Sequence, residues 1–274
     1  MLRRSQLYVP GNNEKMISKA ALLEADSVIL DLEDAVPARE KEDARRLVAR
    51  LSRELEWGSR ELCLRVNPSG SPEFKKDLAV ARAAKRIDTL VIPKAEGDCS
   101  PLKARTGKPL IPIIETATGF MNLRSIAGSK GIAAITYGAA DYAASVGGSV
   151  SAYLDNDVLK TTIVAAAAAA RVDALDNVFF NLDDPDGFRR QAVAARSLGY
   201  VGKQVVHPSQ IGPANDIFSP TDEEVEWAKK VLLEFRTASG KKRGAIRLEG
   251  ALVDAVHSRL AKGILERKRQ IGEK

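Results

Sequence analysis

Ser27-Val28-Ile29-Leu30-Asp31-Leu32-Glu33-Asp34 is the stretch from which the fold is most readily read. A short run that is apolar nearly throughout suits a strand covered on both faces. It ends in acidic residues, which puts charge just beyond the C-terminal end of that strand. The same pattern recurs along the chain. Apolar runs lie at 6–9, 27–32, 61–66, 89–92, 110–114, 132–136, 174–180 and 203–206. Segments of helical character separate them at 13–25, 39–55, 72–85, 157–171 and 186–198. Pro72 suits a first helical turn, where a missing N–H costs little. The alanine-rich 157–171 has high helix propensity, and Gly199 is a fitting C-terminal stop. Eight strands alternating with helices predict a (β/α)8 TIM barrel, with a doubly wound sheet as the alternative. No Walker-type phosphate loop is present and no G-x-G-x-x-G follows a strand, which lowers the nucleotide-fold alternative.

The barrel is expected over residues 1–220 and an appendage over 221–274. The appendage opens with a segment at 221–237, acidic first (Glu223, Glu224, Glu226) and basic later (Lys229, Lys230), the order that complements a helix dipole. A Gly/Lys/Arg-rich link at 239–244 follows, and its Lys241-Lys242-Arg243 reads as a solvated linker. The tail 245–274 reads as one short strand, a helix and a charged end.

Composition narrows the class. The 274 residues are 45% hydrophobic and 28% charged, ordinary for a globular protein. The net charge is +6 and the pI about 9.3, a mild excess that favours anionic partners. Nucleic-acid binding is the non-enzyme alternative. It rests on pI alone, since aromatics are 5% and no binding motif is present. Two cysteines, Cys63 and Cys99, cannot frame a disulfide scaffold, so a reducing cytoplasm is expected. The longest apolar run, 163–170, is too short to span a bilayer, and the first ten residues lack a secretory core.

In a barrel the chemistry gathers at the C-terminal strand ends. Those ends carry Asp31-Leu32-Glu33-Asp34, Arg65-Val66-Asn67-Pro68, Pro93-Lys94, Glu115-Thr116, Gly138-Ala139-Ala140-Asp141, Asn181-Leu182-Asp183-Asp184 and His207-Pro208. Glu115 and Asp141, 26 residues apart, fall on adjacent ends. Two carboxylates completed by water and substrate oxygens suit Mg2+; alternatively each caps the helix that follows it. Zinc is disfavoured, because His207, His257 and the cysteines lack metal-ligand spacing. Arg65 reads as a clamp for a carboxylate or oxyanion, as an ion-pair partner of Asp31, Glu33 or Asp34, or as both. His207 reads as a base or as a hydrogen-bonded structural histidine. Lys15 and Lys19, after Gly11, read as a phosphate site at a helix start or as a solvated face. Cys63 reads as a small core residue.

Taken together, Tyr8-Val9-Pro10-Gly11, the Asp31–Val36 segment, Arg65-Val66-Asn67-Pro68, Pro93-Lys94, Ile114-Glu115-Thr116, Gly138-Ala139-Ala140-Asp141 and the run Gly202-Lys203-Gln204-Val205-Val206-His207-Pro208-Ser209-Gln210 occur in one order. In these motifs the chain resembles the family of citrate lyase β subunits, malyl-CoA lyases and citramalyl-CoA lyases. The resemblance runs from Leu7 to about Leu265. It implies a (β/α)8 barrel, with Glu115 and Asp141 as ligands of Mg2+ or Mn2+ and Arg65 as the active-site arginine. It places coenzyme A at Tyr8, Pro10, Gly11, Asn12, Asn13, Lys15 and Pro208. Leu248-Glu249-Gly250-Ala251-Leu252-Val253-Asp254 resembles the family's D-G-x-x-x-D segment, with Asp254 at the acid/base position and Glu249 replacing the first Asp. The implied reaction is reversible cleavage of malyl-, citramalyl- or citryl-CoA to acetyl-CoA and a 2-oxo acid. Two enzyme alternatives are a citrate lyase β subunit acting on citryl-acyl carrier protein and a CoA-independent Mg2+ aldolase. The resemblance also implies a homo-oligomer, a trimer or hexamer, in which the tail acts as a lid on a neighbouring barrel. It implies no nucleic-acid or membrane partner.

Overall fold

The computed structural model describes residues 1–240, 245–248 and 250–273. The link residues 241–244 and Glu249 thus lie outside the described residues. Eight parallel strands close into a barrel: β1 Ser5–Pro10, β2 Ser27–Asp31, β3 Glu61–Arg65, β4 Thr89–Ile92, β5 Leu110–Ile114, β6 Ala134–Tyr137, β7 Asp173–Asp176 and β8 Gly202–Val205. β8 pairs back onto β1, with Gln6 opposite Gln204. This is the expected (β/α)8 barrel. Strand side chains alternate between the two faces. One set, Ile29, Cys63, Val91, Ile111, Ile113, Ala134 and Leu175, forms a separate buried cluster that fills the barrel interior. Their neighbours, such as Leu30, Leu64, Leu90 and Ile135, join the core shared with the helices. Cys63 is therefore a core residue.

Arg3, just before β1, lies at the N-terminal strand ends. It donates to both oxygens of Glu61 at 2.7 and 2.8 Å, and to Asp173 at 2.9 Å. Glu61 also accepts from Ser27 at 3.1 Å and Thr89 at 2.6 Å. Ser27, Glu61, Thr89 and Asp173 are the first residues of β2, β3, β4 and β7, so this network lies across the base of the barrel.

The elements differ from the sequence expectation in places. β7 stops at Asp176, so Val178, Phe179 and Phe180 leave the sheet. The first helix is Glu14–Ala20, shorter than 13–25. Pro72 precedes the helix Phe74–Ala83 rather than opening it. Short helices Ser100–Thr106, Val150–Leu154 and Ile211–Ile217 were not read from the pattern. The tail holds two strands, not one: β9 Ala245–Leu248 pairs antiparallel with β10 Ala251–Asp254. Gly250 lies between them at φ +89°, a conformation that suits glycine.

Two compact units result, Arg3–Phe218 and Ser219–Lys274 with Met1–Leu2. The second has its own small core. Ala228 and Val231 of the helix Asp222–Gly240 are buried with Val253 of β10 and Ala261 of the helix Ala255–Gly272. Among the described residues no helix is long and apolar enough to cross a membrane.

Candidate active site

β2 and β3 are in register, with Asp31 opposite Arg65. Arg65 donates to both Asp31 oxygens, at 2.7 and 2.6 Å. Its third nitrogen lies 2.8 Å from Glu33 Oε2, and its guanidinium sits over the Tyr8 ring, 4.9 Å from the centroid. Burial opposes the Arg65 charge, but the Asp31 hydrogen bonds and the neighbouring charges outweigh it, so the group is held firmly charged. Asp31 also organises its own turn, accepting from the backbone of Glu33 and Ala35. Lys41 anchors that turn through the carbonyls of Leu32 and Glu33 and the Asn67 amide oxygen. The ion-pair reading of Arg65 thus holds for Asp31 and Glu33, while Asp34 is exposed.

Glu115 follows β5 and is 4% exposed. Its Oε1 accepts the Lys94 backbone N–H at 2.7 Å. Its other oxygen lies against Gly138, where a Cβ would come within 2.4 Å of Oε2. Glycine is therefore needed there for the carboxylate to sit as it does. Glu115 caps no helix; Thr116 does that, accepting from Gly119 N. Asp141, half-exposed in the first turn of the helix Ala139–Val146, makes an ion pair with Lys94 Nζ at 3.8 Å. Lys94 Nζ also reaches Glu33 Oε1 at 3.3 Å. Burial, then the Glu33 charge, pushes the Glu115 carboxyl up to about 8, and Asp141 adds to the effect. Burial likewise raises Glu33, against the pull of Arg65.

Among the described residues Asp31, Glu33, Glu115 and Asp141 pair with two cations, Arg65 and Lys94. When all are ionised, negative charge is in excess, and the exposed Asp34 at the cavity rim adds to it. Among the described residues no group of three or more His, Cys, Asp or Glu is arranged to hold a metal. Two hard carboxylates with substrate or water oxygens suit Mg2+, which keeps several non-protein ligands. The donor set therefore fits that ion. A cavity of about 450 Å3 lies over the cluster, lined by Tyr8, Arg65, Glu115 and Asp141 and walled by Ile113, Leu154, Val178 and Phe180.

The remaining sequence candidates divide. Tyr8 and Pro10 line the cavity, as does Met16, which the sequence reading passed over. Gly11 turns the chain so tightly that a Cβ would meet the Asp31 carbonyl at 2.5 Å. Asn12 is held by Glu40 at 2.6 Å, and Asn13 caps the first helix through Met16 N. Lys15 is exposed and Pro208 half-buried; neither lines the cavity. His207 is an exposed cap whose Nδ1 accepts from Ser209 N, which favours its structural reading. Asp254 belongs to the second unit. It caps the helix Ala255–Gly272, accepting from Val256 N at 2.9 Å, with His257 Nδ1 2.9 Å from its Oδ1. The His257 hydrogen bond, with that of Val256, holds its carboxyl below the usual range. Asn177, which lines the cavity while only 1% exposed, gave no sequence signal.

A (β/α)8 barrel with its charge imbalance and cavity at the C-terminal strand ends has the anatomy of an enzyme of that fold. Comparison with known proteins sharpens the class. The HpcH/HpaI aldolase/citrate lyase family matches residues 4–106 and 103–208, and the chain belongs to that family. It is a carbon–carbon lyase. Mitochondrial citramalyl-CoA lyase of Rattus norvegicus is 32% identical, over 99% of this chain and 88% of its own. Citrate lyase subunit beta of Leuconostoc mesenteroides subsp. cremoris is 34% identical, over 92% and 89%. Among solved structures, CitE from Mycobacterium tuberculosis in complex with magnesium, acetoacetate and coenzyme A superposes with a TM-score of 0.80 at 31% identity, covering 96% of this chain and 97% of that one.

Proposed function

We propose that the chain is a Mg2+-dependent lyase that cleaves a 3-hydroxyacyl-CoA with a distal carboxylate, reversibly, to acetyl-CoA and a 2-oxo acid. The observation that carries this is the unbalanced cluster of four carboxylates and two cations beneath the cavity. Its family membership and the magnesium and coenzyme A bound by CitE support it. Glu115 and Asp141 would hold the ion. When bound, Mg2+ supplies Lewis-acid stabilisation of the oxygen on the carbon that becomes a carbonyl.

The chain's own residues supply the rest. In cleavage the hydroxyl proton passes to solvent at the open cavity and the bond between C2 and C3 of the thioester breaks. Its electron pair passes to the acetyl-CoA enolate, and a proton then adds to the enolate carbon. Arg65, fixed by Asp31 and Glu33, presents a rigid positive charge to the negative charge that develops. Tyr8 under the guanidinium and the apolar wall of Ile113, Leu154 and Val178 exclude water around it. Asp254 serves as base in condensation, and its conjugate acid returns the proton in cleavage.

Asp254 reaches the chemistry from a neighbouring subunit, within a homo-oligomer whose extensions cover one another's barrels. Exposed apolar side chains on the extension, Leu252, Val256 and Leu260, give that lid a face to dock. Coenzyme A runs past Tyr8 and Pro10 toward the loop that ends in Lys15. The likeness to a citrate lyase β subunit favours a second reading, in which an acyl carrier protein presents the acyl group instead. The test is a panel of malyl-, citramalyl- and citryl-CoA, with and without Mg2+, following acetyl-CoA release. Metal-dependent release from at least one thioester is expected. No release from any of them, with activity on citryl-acyl carrier protein, would replace this reading by the second.

A further inference from the structure

Lys94 touches three of the four carboxylates, yet it is absent from the chemistry just described. Its backbone N–H holds Glu115 Oε1 at 2.7 Å. Its ammonium lies 3.3 Å from Glu33 and 3.8 Å from Asp141. Among the described residues Lys94 makes the one ion pair of Asp141. The backbone conformation is costly. Lys94 has φ +48°, in the left-handed region that disfavours any residue with a Cβ. Only one other described non-glycine residue has a positive φ, Arg171, and it closes a helix. A glycine would satisfy the turn and keep the N–H on Glu115. It would not supply the ammonium, so the side chain is what the strained conformation retains.

We infer that Lys94 is a built-in counter-ion of the metal site, which pairs with Asp141 and Glu33 in the metal-free protein and gives up Asp141 when a divalent cation arrives. The inference rests on the reading of Glu115 and Asp141 as metal ligands. At 3.8 Å the ammonium balances the Asp141 charge without a hydrogen bond, so an ion that coordinates the carboxylate directly can take it over. Arg65 cannot fill this role, because its fork is already committed to Asp31 and Glu33. The consequence concerns affinity. A fixed positive charge beside the ligands repels a divalent ion, so Lys94 weakens metal binding while keeping the metal-free carboxylates in place. It is a positioning residue, and its effect is read on the metal.

The experiment is a titration of the full-length protein with Mn2+, followed by electron paramagnetic resonance of the free ion. Lys94→Met is expected to bind Mn2+ about tenfold more tightly than the wild type, or better, because a repelling charge has gone. Lys94→Arg, which keeps the charge, should stay within about twofold of the wild type on the same electrostatic ground. Thermal melting serves as the folding control. Should Lys94→Met fail to fold, Lys94→Gly carries the same prediction, with the backbone strain relieved. Equal or weaker binding by the neutral variant, beside a wild type that binds, overturns the inference and leaves the metal reading intact. Failure of both the wild type and the neutral variant to bind Mn2+ overturns the metal reading, and this inference with it.

Discussion

The two ends of the barrel are both rich in charge and solve it in opposite ways. At the N-terminal end Arg3 pairs with Glu61 and Asp173, and Arg4 pairs with Asp26 at 2.7 Å. Each buried carboxylate there has a cation, and Ser27 and Thr89 satisfy what remains of Glu61. At the C-terminal end Asp31, Glu33, Glu115 and Asp141 share Arg65 and Lys94. At the base the half-exposed Asp173 shares its cation with Glu61; at the mouth four carboxylates share two cations beneath a cavity. A buried charge without a partner costs several kcal/mol, of order 3–5 when one member of a pair is removed. An excess of buried carboxylate at the mouth therefore marks where stability has been given up for binding. In barrels generally that end is the catalytic one.

The comparison predicts that variants at the mouth lose activity and keep stability, and that variants at the base do the reverse. The largest expected effect is at the mouth. Glu115→Gln and Asp141→Asn should each lower turnover by about a thousandfold or more, since each removes a proposed ligand of the catalytic cation. Steady-state rates at saturating Mg2+ check this, and rates within tenfold of wild type would erase the distinction between the two ends. Next comes Glu61→Gln at the base. It leaves Arg3 half-paired and should cost about 3 kcal/mol in chemical denaturation, with turnover unchanged. The same group sets a pH dependence. Burial opposes the Glu61 charge, but Arg3, Thr89 and Ser27 together hold its pKa below the ordinary carboxylate value. A depressed carboxylate contributes stability that is present above its unfolded pKa and lost as pH falls through its folded one. Wild-type melting temperature should therefore fall below about pH 4.5, the unfolded carboxylate range. Glu61→Gln should fall less steeply across the same acid window.

The smallest effect sharpens the comparison. Gly138→Ala adds a methyl 2.4 Å from Glu115 Oε2 and must push that carboxylate aside. Turnover should drop by about a hundredfold, the cost of misplacing a catalytic group by a fraction of an ångström to an ångström. The melting temperature should change little, because the displaced group lies at the cavity rather than in the packed core. A stability loss without a kinetic one would show Glu115 to be structural.

Much of this was legible in the chain. The eight apolar runs marked the strands because each strand is covered on both faces, and their polar ends marked the mouth. Arg65 was legible as a group with two readings, and its pairing with Asp31 and Glu33 is now explicit. Other features depend on contacts that no local pattern encodes. Val178 and Phe180 extend the apolar run of β7, yet they leave the sheet to wall the cavity. An apolar residue facing a cavity has the same signature as one in a strand. β10 is four residues long and among the described residues pairs with β9 alone, too short for a periodic signal. Lys203 reads as a polar start to a strand. It is fully buried on Asp176 at 2.5 Å and on Gln191, contacts that depend on how separate elements pack. Lys94 was visible in its motif, but its left-handed backbone and its reach to three carboxylates follow only from closure of the barrel.

The proposed divalent cation sits between Glu115 and Asp141, at the negative end of the barrel. The most direct measurement is the stoichiometry of Mn2+ bound by wild type, Glu115→Gln and Glu61→Gln in parallel, read from the free-ion resonance. One ion per chain is expected for the wild type and for Glu61→Gln, and none for Glu115→Gln at the same concentrations. A Glu115→Gln protein that takes up Mn2+ as the wild type does would contradict that placement.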